Sequence, residues 1–180
     1  MDLMPVWVPE KNKRTNLDDF CDFTGLNFSS YAAFHQWSVE HLEIFWASVA
    51  EFFKVKFHKS PRNIRSNAAM FWETTWFNGA TLNFAENILH HQDQRIAIIA
   101  YDEQGKTQTL SFAHLRKQVA IYAHMLKAAG VKKGHRVVAV LPNTPHAIVA
   151  MLATASLGAI WASCSPDFGE LAIFERFSQI

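Results

Sequence analysis

The sequence predicts an α/β protein in which an N-terminal helical extension precedes the first β-α-β units of a larger domain. Residues 136–141 and 159–164 are short apolar runs bounded by turn residues, as expected for strands buried on both faces. An apolar segment over residues 145–157 lies between them and carries helix signals at both ends. A strand, a helix and a second strand joined in this way form a right-handed crossover, so the two strands are expected to be parallel.

Local signals define the bounds of that helix. Pro145 suits the first helical position, where its missing N–H costs nothing, and Asn143 or Thr144 can cap the helix with a side-chain oxygen. Gly158 can end the helix in the left-handed conformation. A turn at residues 133–134 precedes the first strand.

The sequence does not supply the strands and helices that this β-α-β unit needs to pack against. Its helix is apolar almost all round, and its strands need parallel neighbours and a second layer of helices. Only one further amphipathic helix follows Gly169. We therefore expect the chain to be the opening portion of a larger α/β domain. Taken alone, it is expected to self-associate through uncovered apolar surface.

Residues 1–70 are predicted to form a tail and a helical extension, and the α/β domain is predicted to occupy residues 71–180. Residues 1–27 are polar and contain a basic cluster (Lys11, Lys13 and Arg14), so they are expected to be an irregular, solvated tail. Residues 54–70 have the composition of a basic loop.

Aromatic side chains recur at helical spacing over residues 34–53. Ser29 or Ser30 can cap the start of this region, and the period is compatible with one long helix or with two helices separated near residues 40–41. Such a stripe is typical of a packed core, in which truncation of a buried Trp46 would cost about 3–5 kcal/mol.

Between residues 82 and 130 the pattern predicts a short helix, a β-hairpin and a longer helix. The hairpin consists of a strand over residues 95–101, a turn over 102–106 and a returning strand over 107–110. Ser111 is predicted to cap the longer helix and Gly130 to end it. The predicted core residues are Leu82, Ala85, Ile88 and Leu89 in the short helix, and Leu115, Val119, Tyr122 and Leu126 in the longer one.

Composition argues against several classes of function. A net charge of +1 gives no electrostatic basis for binding nucleic acid or an anionic membrane surface. No apolar run approaches the roughly 18–20 residues of a membrane span, and the N-terminus lacks the apolar core of a signal peptide, so a cytoplasmic protein is expected. Cys21 and Cys164 match no metal or redox spacing and are predicted to be buried, reduced thiols.

The common motifs of nucleotide binding and catalysis are missing from the sequence. The seven glycines form neither GxGxxG nor GxxxxGK(S/T), the nine histidines include no HExxH, and no serine lies in GxSxG. We therefore predict no catalytic residue and no metal ligand in this chain. The acidic pair at residues 102–103 is predicted to be solvated in its hairpin turn.

One place in the sequence favours a ligand. The segments Pro142–Thr144 and Ser165–Gly169 follow the two predicted parallel strands, and ligands of open α/β sheets bind beyond the carboxyl ends of such strands. The spacing is equally compatible with segments that only cap helices and turn the chain.

Three stretches resemble the acyl-CoA synthetases of the adenylate-forming superfamily, and they occur in the order found in that family. Residues 132–161 (KKGHRVVAVLPNTPHAIVAMLATASLGAIW) resemble its early β-α-β segment. Residues 75–89 (TWFNGATLNFAENIL) resemble the start of its main domain, and residues 34–53 (FHQWSVEHLEIFWASVAEFF) resemble the N-terminal helical extension of its acetyl-CoA-type branch. The resemblance runs from about residue 28 to the end.

The loop at residues 162–169 (ASCSPDFG) resembles an acetoacetate-activating branch of the family more than the acetate-activating one, which has Gly-Gly-Phe where Pro166, Asp167 and Phe168 stand here. In the acetate branch this loop lines the coenzyme A channel. By position, the resemblance therefore implies coenzyme A binding by Ser165, Pro166 and Asp167. Proline donates no N–H and lacks the conformational reach of glycine, so the contacts of this loop are expected to differ.

The resemblance implies a two-step ligase reaction for the whole enzyme. The carboxylate of acetoacetate attacks the α-phosphate of ATP and expels diphosphate, and the coenzyme A thiol then displaces AMP from the acyl-adenylate. The first step uses Mg²⁺, a Ser/Thr/Gly-rich loop and a lysine, which in the family lie downstream of the stretches found here. We therefore expect these 180 residues alone to be inactive and to bind no cofactor tightly. The alternatives are an acetate or propionate enzyme, or a stand-alone module that binds a partner without catalysis.

Overall fold

The computed structural model of this chain describes residues 13–180. These residues form two compact units, which we call the helical unit (residues 13–55 and Ser60–Ala80) and the α/β unit (Lys56–Lys59 and Thr81–Ile180). The first part of the predicted tail, with Lys11, lies outside the described residues. The predicted domain boundary between residues 70 and 71 stays a prediction, because compactness alone does not define a folding domain.

The helical unit has helices at its start and short extended segments at its end. Its elements, in chain order, are α1 (Asn16–Thr24), α2 (Tyr31–Glu40), α3 (Leu42–Phe52), β1 (Asn63–Arg65), a 3₁₀ turn at Phe71–Glu73, and β2 (Trp76–Asn78).

Phe20 is the centre of the packing in the helical unit. Its side chain is only 5% exposed. Its ring makes edge-to-face contacts with Phe34, Phe45 and Phe52, with centroids 6.1, 6.0 and 5.4 Å away. Aromatic pairs in this geometry contribute about 0.5–1.5 kcal/mol each beyond the burial of their area. The aromatic residues of α2 and α3 therefore pack around a side chain supplied by α1.

The prediction of an irregular tail over residues 1–27 is wrong, because α1 lies within it. Thr15 and Asp18 form a capping box, in which the Thr15 hydroxyl accepts from the Asp18 N–H and the Asp18 carboxylate accepts from the Thr15 N–H. Arg14, predicted to be part of a solvated basic cluster, forms ion pairs with two aspartates of α1. The capping box at its start and the burial of Phe20 therefore stabilise a helix in this polar stretch.

Helices α2 and α3 confirm the alternative of two helices, with the break at His41. The Ser30 hydroxyl caps α2 by accepting a hydrogen bond of 3.2 Å from the Ala33 N–H, as predicted. The expectation of a buried Trp46 is wrong, because this side chain is 39% exposed. Neither helix contains a fully buried residue, so the aromatic stripe packs on one side and meets solvent on the other.

The predicted loop over residues 54–70 contains a short strand. β1 pairs with β2 in antiparallel fashion, with Asn63 opposite Asn78. Gly79 follows β2 with φ of 78°, a left-handed conformation that glycine adopts without strain. Three residues are too few to show alternation, so the sequence pattern could not reveal β1.

The α/β unit follows the predicted order of elements. These are α4 (Phe84–Ile88), β3 (Ile96–Tyr101), β4 (Thr107–Ser111), α5 (Phe112–Ala128), β5 (Arg136–Val140), α6 (Pro145–Ser156), β6 (Ile160–Cys164) and α7 (Glu170–Phe177). The β3–β4 hairpin is confirmed, and the Ser111 hydroxyl caps α5 by accepting from the His114 N–H at 3.3 Å. Gly130 and Gly158 have φ of 87° and 70°, as expected after α5 and α6.

Helices α4, α5 and α6 pack together and form the core of the α/β unit. Its buried side chains are Ala85, Leu89, Leu115, Val119, Val149, Leu152 and Ala153. The predicted face of α5 is confirmed, since Tyr122 and Leu126 pack against this cluster. The predicted face of α4 is only partly correct, because Leu82 and Ile88 are 48% and 42% exposed. A helix of five residues presents too little length for four core positions.

Strands β5 and β6 are parallel, with Val138 opposite Ala162, which confirms the β-α-β unit. Their predicted burial on both faces is wrong. Val138, Val140 and Ile160 are 46%, 45% and 48% exposed, and exposure alternates along β5. A parallel sheet is buried on both faces only where helices cover both, and the β5–β6 sheet is packed on one.

Both cysteines are free thiols, as predicted. Cys164 is buried, whereas Cys21 is only partly buried, so the prediction of two buried thiols holds for one of them. Burial raises the pKa of the Cys21 thiol above its ordinary value. Among the helices that the structure describes, none combines the length and the apolar character needed to cross a bilayer.

Candidate functional site

A cleft lies where β5 and β6 end. It has a volume of about 860 Å³ and is lined by three loops of the α/β unit. Two of them are the segments Pro142–His146 and Ser165–Asp167, which follow the two parallel strands. The third is the turn of the β3–β4 hairpin, which contributes residues between 100 and 108. The structure thus brings together the two strand-end segments that the sequence singled out and adds a third wall. We call this space the strand-end cleft.

The loop between β5 and α6 is fixed by its backbone rather than by a side-chain cap. Thr144 occupies the capping position in extended conformation, as predicted, but its hydroxyl makes no capping hydrogen bond. The Thr144 N–H donates to the Pro142 carbonyl at 2.8 Å, and the Ala147 N–H donates to the Thr144 carbonyl at 3.0 Å. Pro145 is buried at the first helical position. The hydroxyl of Thr144 is therefore left to meet a ligand or solvent at the cleft.

The loop between β6 and α7 is closed by its own hydrogen bonds. The Ser165 hydroxyl donates to the Asp167 carboxylate at 2.6 Å, and the Asp167 N–H donates back to the Ser165 Oγ at 3.3 Å. The Phe168 N–H donates to the Ser165 carbonyl at 3.3 Å. Pro166 has no N–H and needs no partner. These contacts hold the predicted binding residues in one compact turn at the edge of the cleft.

The hairpin turn is also closed by its own hydrogen bonds. The Asp102 carboxylate accepts from the N–H groups of Gln104 and Lys106 at 3.0 and 2.8 Å, and the Asp102 N–H donates to the Lys106 carbonyl at 3.1 Å. Gly105 has φ of 77°, which other residues adopt only with strain. Asp102 and Glu103 are exposed, as predicted for a solvated turn, and both also line the cleft. No local signal shows which edge of a sheet a hairpin will face.

The charges around the cleft are predominantly negative. Three carboxylates line it, from Asp102, Glu103 and Asp167, against one lysine, Lys106, and the imidazole of His146. The lining therefore carries more negative than positive charge. Groups of high negative charge, such as a triphosphate, would be repelled here. Neutral groups that donate and accept hydrogen bonds fit this lining better.

The cleft does not contain a recognisable catalytic centre. The Ser165 hydroxyl donates to a carboxylate rather than to an imidazole, so it is not activated as a nucleophile. Over residues 13–180, no three His, Cys, Asp or Glu side chains are grouped in a way that could hold a metal ion. What the geometry can do is hold a polar, flexible ligand between three loops that are closed by their own hydrogen bonds.

A second polar cluster joins residues 56–59 to α4. Glu86 accepts a hydrogen bond of 2.6 Å from the His58 imidazole and lies 4.0 Å from the Lys56 ammonium. The hydrogen bond from His58 lowers the pKa of the Glu86 carboxyl below its ordinary value. Asn87 both accepts from the Lys56 N–H and donates to the Lys56 carbonyl, at 2.8 and 3.2 Å. This exposed cluster anchors a chain segment and lines no part of the strand-end cleft.

Two family profiles match the chain over stretches that overlap at residues 84–88. The profile described as "AMP-binding enzyme" matches residues 84–179, and the one described as "Acetyl-coenzyme A synthetase N-terminus" matches residues 31–88. The first covers more than half of the chain. The chain therefore belongs to the AMP-binding enzyme family.

Similar proteins and a solved structure indicate which members of this family the chain resembles. An acetoacetyl-CoA synthetase of Gallus gallus is 40% identical over 100% of this chain, and one of Rhizobium meliloti (strain 1021) is 40% identical over 98% of it. The solved structure of acetoacetyl-CoA synthetase from Streptomyces lividans covers 85% of this chain with a TM-score of 0.76 and 42% identity. The chain spans 28% of the length of these two relatives and 24% of the solved chain. These matches confirm the resemblance and the fold class expected from the sequence.

Proposed function

We propose that the protein carrying this chain is an acetoacetate–CoA ligase that acts in the cytoplasm. In the proposed reaction the acetoacetate carboxylate attacks the α-phosphorus of ATP, and diphosphate leaves. The thiol of coenzyme A then attacks the acyl carbonyl and AMP leaves, giving acetoacetyl-CoA. The observation that carries this proposal is the fold match to the Streptomyces enzyme at 42% identity.

We propose further that the strand-end cleft receives the thiol-bearing arm of coenzyme A. Coenzyme A has its phosphates at one end and a neutral chain with two amides at the other, which ends in the thiol. The excess of carboxylates in the cleft disfavours the phosphates, whereas the hydroxyls and amide groups of its lining can bond to the neutral chain. In this proposal Ser165, Pro166 and Asp167 form the wall against which that chain lies.

The groups that activate ATP are proposed to lie outside these 180 residues. Mg²⁺ would offset the charge of the triphosphate in the proposed first step. The negative lining of the cleft, which would repel a triphosphate, supports this division. The chain by itself is accordingly proposed to make no acyl-adenylate and to bind ATP and coenzyme A weakly.

The substrate test uses the native protein, captured from its source cells with an antibody raised against this chain. The captured protein is sized and is then supplied with ATP, Mg²⁺, coenzyme A and one of acetoacetate, acetate or propionate. We expect diphosphate release and thioester formation to be fastest with acetoacetate. Faster thioester formation with acetate or propionate would instead assign the protein to that alternative. Diphosphate release by the isolated 180-residue chain would contradict the division proposed above.

The site test is an Asp167→Asn variant of the native-length protein. An amide in place of the carboxylate weakens the acceptor of the Ser165 hydroxyl, 2.6 Å away, and loosens the turn. We expect the KM for coenzyme A to rise several-fold while the KM for ATP is unchanged. An equal rise in both constants would show that the turn does not act on coenzyme A.

The exposed apolar surface offers a test that separates the ligase fragment from a second candidate, a stand-alone, non-catalytic module that binds a partner. On α7, Leu171 and Phe174 are 71% and 70% exposed. We propose that the isolated chain self-associates through this face, and sedimentation velocity tests it. Phe174→Glu should reduce association, whereas Val39→Glu, at a position 52% exposed in the helical unit, should not. A chain that is monomeric at every concentration and native at 20.5 kDa would favour the stand-alone module.

A further inference from the structure

A contact at the far end of α7 reaches back to the loop beside the strand-end cleft. The guanidinium carbon of Arg176 lies 4.5 Å from the centroid of the Phe168 ring. Arg176 is in the last turn of α7, and Phe168 immediately precedes Gly169, the residue at the start of that helix. Helix α7 therefore contacts the C-terminal end of the loop at two points, through its start at Gly169 and through this cation–π contact on Phe168.

Arg176 contacts the Phe168 ring through its guanidinium group. Among residues 13–180 it forms no ion pair and donates no side-chain hydrogen bond. Its guanidinium is exposed, yet it lies over an aromatic ring instead of extending into solvent. The ring of Phe168 is 38% exposed, so the arginine supplies part of its cover.

The position of Phe168 is coupled to the proposed coenzyme A-binding residues Ser165 and Asp167 through the hydrogen bonds of the loop. The Phe168 N–H donates to the Ser165 carbonyl, and Ser165 and Asp167 are joined by two further hydrogen bonds. Pro166 fixes its own backbone torsion, which removes one degree of freedom from the turn. Movement of Phe168 therefore moves Ser165 and Asp167, which line the cleft, whereas Phe168 itself does not line it.

We propose that Arg176 is a positioning residue for coenzyme A. By stacking on Phe168 it holds the turn of Ser165, Pro166 and Asp167 in the orientation that contacts the thiol-bearing arm. This inference rests on the proposed function and adds a residue outside the cleft that sets the affinity for one substrate. The affinities for acetoacetate and ATP do not depend on this contact.

The test uses steady-state kinetics of the native-length protein with single and double variants. Arg176→Gln keeps the length of the side chain and removes the charge, Phe168→Leu removes the ring, and Arg176→Lys retains a cation. Loss of an exposed cation–π contact corresponds to a factor of roughly two to five, so the first two variants should raise the KM for coenzyme A by about that factor. The kcat and the KM values for ATP and acetoacetate should stay unchanged.

Two comparisons separate positioning from general loss of structure. Arg176→Lys should restore most of the affinity for coenzyme A, and the double variant Arg176→Gln/Phe168→Leu should show no larger effect than either single variant, because both remove the same contact. Arg136→Gln is the matched control. It removes an exposed arginine at the opposite end of β5, outside the cleft, and should leave every constant unchanged.

The outcomes distinguish this inference from the proposed function. An active ligase in which Arg176→Gln leaves the KM for coenzyme A unchanged, or raises all three KM values equally, overturns the inference alone. Additive effects in the double variant overturn it as well. A native-length protein that forms no thioester with any of the acids overturns the proposed function, and the role of Arg176 with it.

Discussion

A Thr154→Val variant is expected to be more stable than the native chain. Thr154 lies in α6 and is 0% exposed, beside the core residues Val149, Leu152 and Ala153. Its hydroxyl has no hydrogen-bond partner among the described residues. Valine has nearly the same shape and a similar helix propensity, so the change removes an unpaired polar group and leaves the packing intact.

The magnitude follows from the cost of the buried hydroxyl. Mutational data place the cost of an unpaired buried hydroxyl at about 1–3 kcal/mol. Because some relaxation is always available, we expect the free energy of unfolding to rise by about 1–2 kcal/mol. Each kcal/mol corresponds to roughly 4–8 °C in Tm for a unit of about 100 residues.

Urea denaturation followed by far-ultraviolet circular dichroism measures the effect, and two further variants control it. Thr154→Ser keeps the hydroxyl and loses the methyl group, so it should be destabilised by about 1 kcal/mol. Thr154→Ala loses both groups and leaves a small cavity, so its stability should lie below that of the valine variant. The predicted order of stability is therefore valine, threonine, then serine. A valine variant less stable than the native chain would show that the hydroxyl is paired, and the reasoning would be refuted.

The remaining predictions concern both compact units. Phe20→Ala removes the central ring of the helical unit, which is 5% exposed, and should lower the free energy of unfolding by about 3–5 kcal/mol in urea denaturation; a loss below ~1 kcal/mol would contradict this packing. The pKa of Glu86 is lowered by His58, so the pair stabilises the fold above the ordinary glutamate pKa of 4.5, and this contribution is lost as pH falls through the lower folded-state value. Acid titration of Glu86→Gln should accordingly show a shallower loss of stability below that pH, and an identical profile would refute the role of this pair. Gly158→Ala should be destabilised by about 1 kcal/mol or more in thermal unfolding, because φ is +70° and the new Cβ would meet Lys133 Cγ at 3.1 Å. An unchanged Tm would show that the turn adjusts freely.

The β-α-β unit could be predicted because several local signals agree there. The valine-rich run before Pro142, the proline at the first helical position and the glycine after the last helical turn all point to one arrangement. The parallel pairing of β5 and β6 follows from these signals and the handedness of the crossover. Burial could not be predicted in the same way, because it depends on what covers the sheet.

The error at α1 has a different cause. Residues 16–24 contain three aspartates and an asparagine, which argue for a loop by composition. The capping box of Thr15 and Asp18 was the signal that could have identified the helix, together with Gly25 at its end. The burial of Phe20 depends on aromatic partners from α2 and α3, which no local pattern specifies.

The candidate site could be predicted in part. The two strand-end segments could be identified from the sequence, because parallel strands place their carboxyl ends at one edge of a sheet. The hairpin wall with Asp102 and the contact between Arg176 and Phe168 were not, since both depend on tertiary packing between segments that the pattern treats separately. Positions of this kind are set by tertiary geometry rather than by residue type.

Hydrogen–deuterium exchange of the native-length protein with and without coenzyme A tests the central claim most directly. If the protein is a coenzyme A ligase that uses the strand-end cleft, bound coenzyme A should slow exchange over Ser165–Gly169 and over the segment after β5. The protection should be weaker with an analogue that lacks the thiol-bearing arm. Thioester formation without any protection of these segments would contradict the account, because coenzyme A would then reach the acyl group by another path.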